Sequence, residues 1–154
     1  MSDGPRPLGR RAALAVGVAP LALPPREAAA VAAADDALAA AIREAVGDAR
    51  VEDGGVELRA PALAENGGQV PITVVAESPM TAADHVAAIH VFATRNPTPG
   101  VASFRLTPRL ARAEVATRIR LAEAQRVVAL AVHSDGRVRR AAAEVRVTTG
   151  GCLS

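Results

Sequence analysis

Along residues 35–46 the apolar positions Leu38, Ala41, Ile42, Ala45 and Val46 recur at the three- and four-residue spacing of one helix face. Asp35 or Asp36 is placed to cap that helix and Gly47 to end it. From Val51 onward the period falls to two. Val56, Leu58 and Ala60 alternate with charged residues, and Val70, Ile72, Val74 and Ala76 follow an Asn66-Gly67-Gly68 turn. The clearest alternation sets Ala113, Val115, Thr117, Ile119 and Leu121 against Glu114, Ala116, Arg118, Arg120 and Ala122, an apolar row opposite a mostly polar one.

Further apolar runs at 86–93, 101–106, 126–133 and 137–147 are separated by Asn96-Pro97, Pro99-Gly100, Pro108 and Asp135-Gly136, and an Asp-Gly pair between two strands marks a tight hairpin. About seven strands with turn signals every 8–12 residues, and no alternation of strands with helices, predict an all-β fold. The architecture expected is an immunoglobulin-like antiparallel β-sandwich preceded by a short amphipathic N-terminal helix. Residues 121–131 are ambiguous, because their Ala, Glu, Gln and Arg also favour helix.

The N-terminus follows neither pattern. Arg10 and Arg11 precede the uncharged run 12–23, about the length of a secretory apolar region and too short to span a bilayer. An arginine pair before a mildly apolar stretch resembles a twin-arginine signal, which predicts export to the periplasm with cleavage somewhere in 28–34 and no membrane anchor. The chain then divides into an export signal at 1–34, a helix-plus-sandwich body at 35–147 and a C-terminal arm at 148–154.

Half of the 154 residues are apolar, almost all of them Ala, Val, Leu and Ile, with two Phe and no Trp or Tyr, so the core has to form without aromatic anchors. The net charge of +2 suggests an anionic partner at first. Residues 1–32, however, carry four Arg against two acids, which leaves the chain from Ala33 onward formally neutral. Charge is still segregated: residues 33–94 hold three Arg against ten acids, and residues 95–154 hold eleven Arg against four. Either the halves interleave and pair, or a basic face is left for oxyanions or an acidic partner.

Few residues suggest cofactor chemistry. His85 and His90, five apart, point to opposite faces if both lie on a strand, and His133 stands alone, so no metal site is expected. A phosphate-binding glycine loop, a CxxC pair and an aromatic set for stacking on bases are all lacking, which argues against cofactor or nucleic-acid binding.

The chemistry-bearing feature is the C-terminus. Cys152, the one cysteine of the chain, follows Thr148, Thr149, Gly150 and Gly151 directly after the last alternating strand. Five extended residues beyond Val147 carry its sulfur roughly 17 Å from the body, at about 3.3–3.6 Å per residue. Gly150 and Gly151 make that arm thin and bendable. A thiolate is a nucleophile and a reversible attachment point for sulfur. An unperturbed thiol titrates near 8.5, so only a few per cent is ionised at neutral pH, and no local histidine supplies a base. Activation has to come from a partner's site, which argues for a substrate carrier over a self-sufficient thiol enzyme. The remaining alternative is an exported immunoglobulin-like interaction or chaperone module whose tail cysteine is incidental or crosslinks subunits.

The ordered set Glu65-Asn66-Gly67 with Val70-Pro71, Glu77-Ser78-Pro79-Met80-Thr81, Ile89-His90-Val91-Phe92-Ala93, Asn96-Pro97, Arg112–Val115 with Arg118–Leu121, and Val145–Cys152 resembles the SoxY family, the sulfur-substrate carrier subunit of bacterial sulfur oxidation. The resemblance implies an immunoglobulin-like fold, a heterodimer with SoxZ, and covalent attachment at Cys152. It further implies a cycle in which haem-containing SoxXA conjugates thiosulfate to the cysteine, and SoxB and SoxCD then hydrolyse the sulfone and oxidise the remaining sulfur. The family pattern ends Gly-Gly-Cys-Gly-Gly, whereas Leu153 and Ser154 follow the cysteine here.

Overall fold

The computed structural model describes residues 25–148. One helix, α1 (Pro25–Val46), precedes nine strands: β1 (Val51–Asp53), β2 (Val56–Arg59), β3 (Leu63–Ala64), β4 (Val70–Ala76), β5 (Val86–Ala93), β6 (Gly100–Arg105), β7 (Ala113–Ile119), β8 (Gln125–His133) and β9 (Val138–Val147). They form two facing sheets, β1-β9-β8-β5-β6 with β3 also on β9, and β2-β4-β7. The long strands pair antiparallel, as an immunoglobulin-like sandwich requires.

The helix begins earlier than expected. Asp35 and Asp36 do not cap it; they are exposed residues well inside it. The Ala-rich stretch ahead of them propagates helix at little cost, and a proline is tolerated at the first helical position. The exit is as read: Gly47 takes φ 65° and its amide donates to the Arg43 carbonyl at 2.8 Å, a left-handed cap that favours glycine. The expected cleavage window at 28–34 lies within α1.

Two short strands were not anticipated. β1 and β3 both run parallel to β9, on the edge that β8 leaves open, at Val138–Arg140 and Arg146–Val147 respectively. Between them β2 crosses to the second sheet and pairs with β4. Residues 51–64 thus form a strap that covers both ends of β9 and stitches the sheets together, protecting an edge that otherwise invites pairing with other chains.

The core between the sheets gathers Val70, Ile72, Val74, Ile89, Val91, Leu121, Val127 and Val145. A second cluster on the outer face of the larger sheet, Phe92, Val128, Leu130 and Val138, is covered by Leu38, Ala41, Ile42, Ala45 and Val46, the predicted apolar face of α1. β8 is therefore covered on both faces and lacks clean alternation. This accounts for the ambiguity at residues 121–131, which the structure resolves as a loop and a strand. The Asp135-Gly136 hairpin forms as read, with Gly136 at φ 87° and the Arg137 carbonyl accepting from the His133 amide at 2.8 Å.

The segregated charges interleave in part. β1 from the acidic half lies against β9 from the basic half, so Arg140 grips Asp53 through two bonds of 2.7 and 3.0 Å and Arg139 meets Glu52 at 2.9 Å. The guanidinium of Arg140 holds the Asp53 carboxyl below its ordinary pKa. Such exposed pairs fix register more than they stabilise.

Leu130 is fully buried beneath α1. Leu130→Ala is expected to cost about 2–5 kcal/mol, measured as a lowered denaturant midpoint; a cost below about 1 kcal/mol would mean that the helix does not cover this face.

Candidate functional site

The expected attachment residue Cys152 and the glycines before it, Gly150 and Gly151, lie outside the described residues, as do Arg10 and Arg11 of the expected export motif. The structure defines the base from which the C-terminal segment leaves. β9 carries the chain to Val147, which pairs with Ala64 of β3. Beyond that pair, the Thr148 amide donates to the Ala64 carbonyl at 3.1 Å and its hydroxyl to the Glu65 carbonyl at 3.0 Å. Thr148, expected as the first residue of the arm, is tied to the body.

The strap is itself braced at this point. Asn66 Oδ1 accepts the Gly68 amide at 2.7 Å and opens a 3₁₀ turn at Gly67–Gln69. The Gly67 carbonyl accepts the Leu121 amide at 2.8 Å, linking the strap to the β7–β8 connection. The Asn66-Gly67-Gly68 turn seen in the sequence is thus one wall of the arm base.

A second wall is a polar node that the sequence reading missed. Gln125, buried at the start of β8 opposite Val145, accepts the Arg95 amide at 2.7 Å through its side-chain oxygen and donates to Asn96 Oδ1 at 2.9 Å. Asn96 Oδ1 also accepts the Ala122 amide at 3.0 Å, and its amide nitrogen donates to the Arg120 carbonyl at 2.8 Å. The node ties the β5–β6 loop to the β7–β8 loop. Its signals were present, a buried-strand glutamine and an Asn-Pro pair, but nothing local joins residues almost thirty positions apart.

Next to the arm base a groove of about 720 Å³ opens between α1 and the sheet. Val31, Leu38 and Ile42 line it from the helix, and Val128 and Val145 from the sheet, while Arg95, Arg126, Arg140 and Arg146 share its lining with Asp35, Glu123 and Glu144. Arg95 lies 3.4 Å from Glu123 and Arg126 lies 4.0 Å from Glu144, so the charges there are largely paired.

The histidines do not converge. His85 precedes β5 and its Nδ1 lies 3.1 Å from the Thr81 carbonyl, whereas His90 within β5 pairs Nδ1 with Ser103 Oγ at 2.9 Å. His133 sits at the far end of β8, buried, with neither ring nitrogen hydrogen-bonded among the described residues and the Asp84 carboxylate 4.0 Å away. Burial, and then the Arg137 guanidinium, pushes the His133 pKa below its ordinary value; burial and Arg105 do the same for His90.

A family model described as sulfur oxidation protein SoxY matches residues 42–152. Among solved structures, the sulfur carrier protein SoxY from Chlorobium limicola f thiosulfatophilum is 33% identical, with a TM-score of 0.63, over 75% of this chain and 99% of that one. A superoxide reductase (neelaredoxin) from Ignicoccus hospitalis is 14% identical, with a TM-score of 0.57, over 63% of this chain and 94% of that one, a likeness of fold alone. No curated protein matches the chain.

Gln125→Ala leaves the Arg95 amide without its partner and is expected to cost about 1–3 kcal/mol by chemical denaturation; an unchanged midpoint would remove the node from the support of the arm base. A histidine held neutral in the fold takes up its proton more readily once unfolded, so the unfolded chain binds more protons below about pH 6.5 and stability falls as pH drops through that value. The denaturant midpoint is expected to be lower at pH 5.5 than at 7.5, with a smaller drop in His133→Gln. Equal midpoints in the wild type would contradict the lowered pKa values.

Proposed function

The chain belongs to the SoxY family of sulfur oxidation proteins, sulfur carriers by the description of its solved relative, and we propose that it carries sulfur intermediates as covalent adducts of Cys152. One observation supports this reading above the others: the family match runs past the body and ends on residue 152, taking in Gly150, Gly151 and the cysteine. The Cys152 thiolate and the terminal sulfur of thiosulfate join in an S–S bond with loss of two electrons, which the haem-containing conjugating partner accepts; later partners remove the bound sulfur and leave the free thiol, so the carrier is regenerated at each turn.

The division of labour follows from the chemistry. The carrier supplies an attachment point and reach, and its thiol gains reactivity only inside a partner's site, where a base or positive charge lowers its pKa. Partner contacts are then transient, with SoxXA, SoxB and SoxCD visiting in turn, while SoxZ forms the stable heterodimer. The twin-arginine motif at Arg10-Arg11 is the basis for assigning this work to the periplasm.

Intact-protein mass measurement after incubation with thiosulfate and the conjugating partner is expected to show a sulfur-containing adduct that reducing agent removes and that Cys152→Ser does not form. An adduct surviving Cys152→Ser, or disulfide-linked dimers as the sole product, would overturn the carrier assignment; the dimers would favour an interaction module with a crosslinking tail.

A further inference from the structure

A buried polar group is normally hydrogen-bonded, because its bonds to water are lost on burial. His133 departs from this. Its side chain is 5% exposed, and neither ring nitrogen has a partner among the described residues. One group stands just out of reach: Asp84 Oδ1 lies 4.0 Å from Nδ1 of the ring, about an ångström beyond a hydrogen bond. The same oxygen lies 3.9 Å from Nη2 of Arg137. The Asp84 carboxylate therefore stands between two cationic partners, one permanent and one that a proton creates.

The backbone that carries Asp84 is fixed. Its amide donates to Thr81 Oγ1 at 3.0 Å, and its carbonyl accepts the Thr81 amide at 2.9 Å. The next residue is bonded to the β8–β9 hairpin, with the Ser134 amide donating to the His85 carbonyl at 2.8 Å and the His85 amide donating to Ser134 Oγ at 3.2 Å. The partly exposed side chain of Asp84 can change partner without moving the chain.

We propose that His133, Asp84 and Arg137 form a proton-operated switch, in which protonation of the buried imidazole draws the Asp84 carboxylate off Arg137 and onto the ring. The other charges around the ring are already engaged. Arg137 also donates to Asp135 and keeps that partner when Asp84 leaves, and Arg139 meets Glu52 at 2.9 Å. Asp53 and Glu77 line a small cleft beside the ring, where Asp53 is held by Arg140 and Glu77 is exposed. Among the described residues Asp84 is the one carboxylate within 4.0 Å of the ring. Burial, Arg137 and Arg139 oppose the proton while Asp135 and Asp84 favour it, so the switch operates on the acid side of the ordinary imidazole value of about 6.5. In acid, the Arg137 guanidinium is left with one carboxylate partner in place of two, which makes the end of the sandwich remote from the arm base more cationic.

A nuclear magnetic resonance titration of the full chain from about pH 7.5 to about pH 5 tests the switch, since an ordinary imidazole titrates within that range. The His133 ring signals, the Asp84 carboxyl carbon and the Arg137 guanidinium signals are expected to shift together, with one midpoint. In His133→Gln the Asp84 and Arg137 shifts are expected to vanish. Asp84→Asn poses the question from the other side, and its His133 midpoint is expected to fall to lower pH. His85 is the second imidazole at this end, with its Nδ1 3.1 Å from the Thr81 carbonyl, so the coupled shifts are expected to persist in His85→Asn. A ring that titrates without moving Asp84, or stays neutral down to about pH 5, would overturn the proposal. So would shifts that survive His133→Gln, shifts that disappear in His85→Asn, or a His133 midpoint unchanged by Asp84→Asn. The switch needs no sulfur adduct, so its failure and a failure of carriage at Cys152 are read separately.

Discussion

The pairing of the strap 51–64 with the free edge of β9 is the contact on which the rest of the molecule depends. β9 is ten residues long and has β8 on one side only. β1 and β3 occupy the two ends of its other side, and β2 between them belongs to the opposite sheet, so one stretch of chain closes an edge and joins two layers. The register is reinforced where oppositely charged halves of the sequence meet, at Glu52 with Arg139 and Asp53 with Arg140. At its far end the same strap holds Thr148 and so defines where the C-terminal segment starts.

The core shows how a sandwich forms with almost no aromatic residues. β8 is buried on both faces, by the opposing sheet on one side and by α1 on the other, so aliphatic side chains of modest size fill two thin layers. Close packing of this kind leaves little tolerance for polar groups, and the buried Gln125 is accommodated because both ends of its amide find partners. His133 is the exception: its ring is buried at the end remote from the arm base with neither nitrogen hydrogen-bonded among the described residues, and burial lowers its pKa, as it does that of His90.

Much of the fold was legible because period-two burial writes itself into sequence. The runs that became β4, β5, β6 and β9 were read to within a residue, as were the Asp135-Gly136 hairpin and the helix face Leu38–Val46, whereas the alternation read to residue 122 ends as β7 at Ile119. The misses have physical causes. β1 and β3 are three and two residues long, too short to show a period, and are held by a distant partner rather than by their own pattern. α1 starts before Asp35 because alanine propagates helix regardless of a capping residue downstream. Of the arm base, the Asn66 turn could be read from local composition, while Cys152, Gly150 and Gly151 lie outside the described residues. The Asn96–Gln125 node and the bonds of Thr148 could not, since each joins segments that only the folded topology brings together.

Covalent carriage at Cys152 is tested most directly by peptide mapping of the chain recovered from cells oxidising thiosulfate. Thiol-sensitive sulfur additions confined to the C-terminal peptide and assigned to Cys152 are the expected result. An unmodified Cys152 in chain recovered during active oxidation would contradict it.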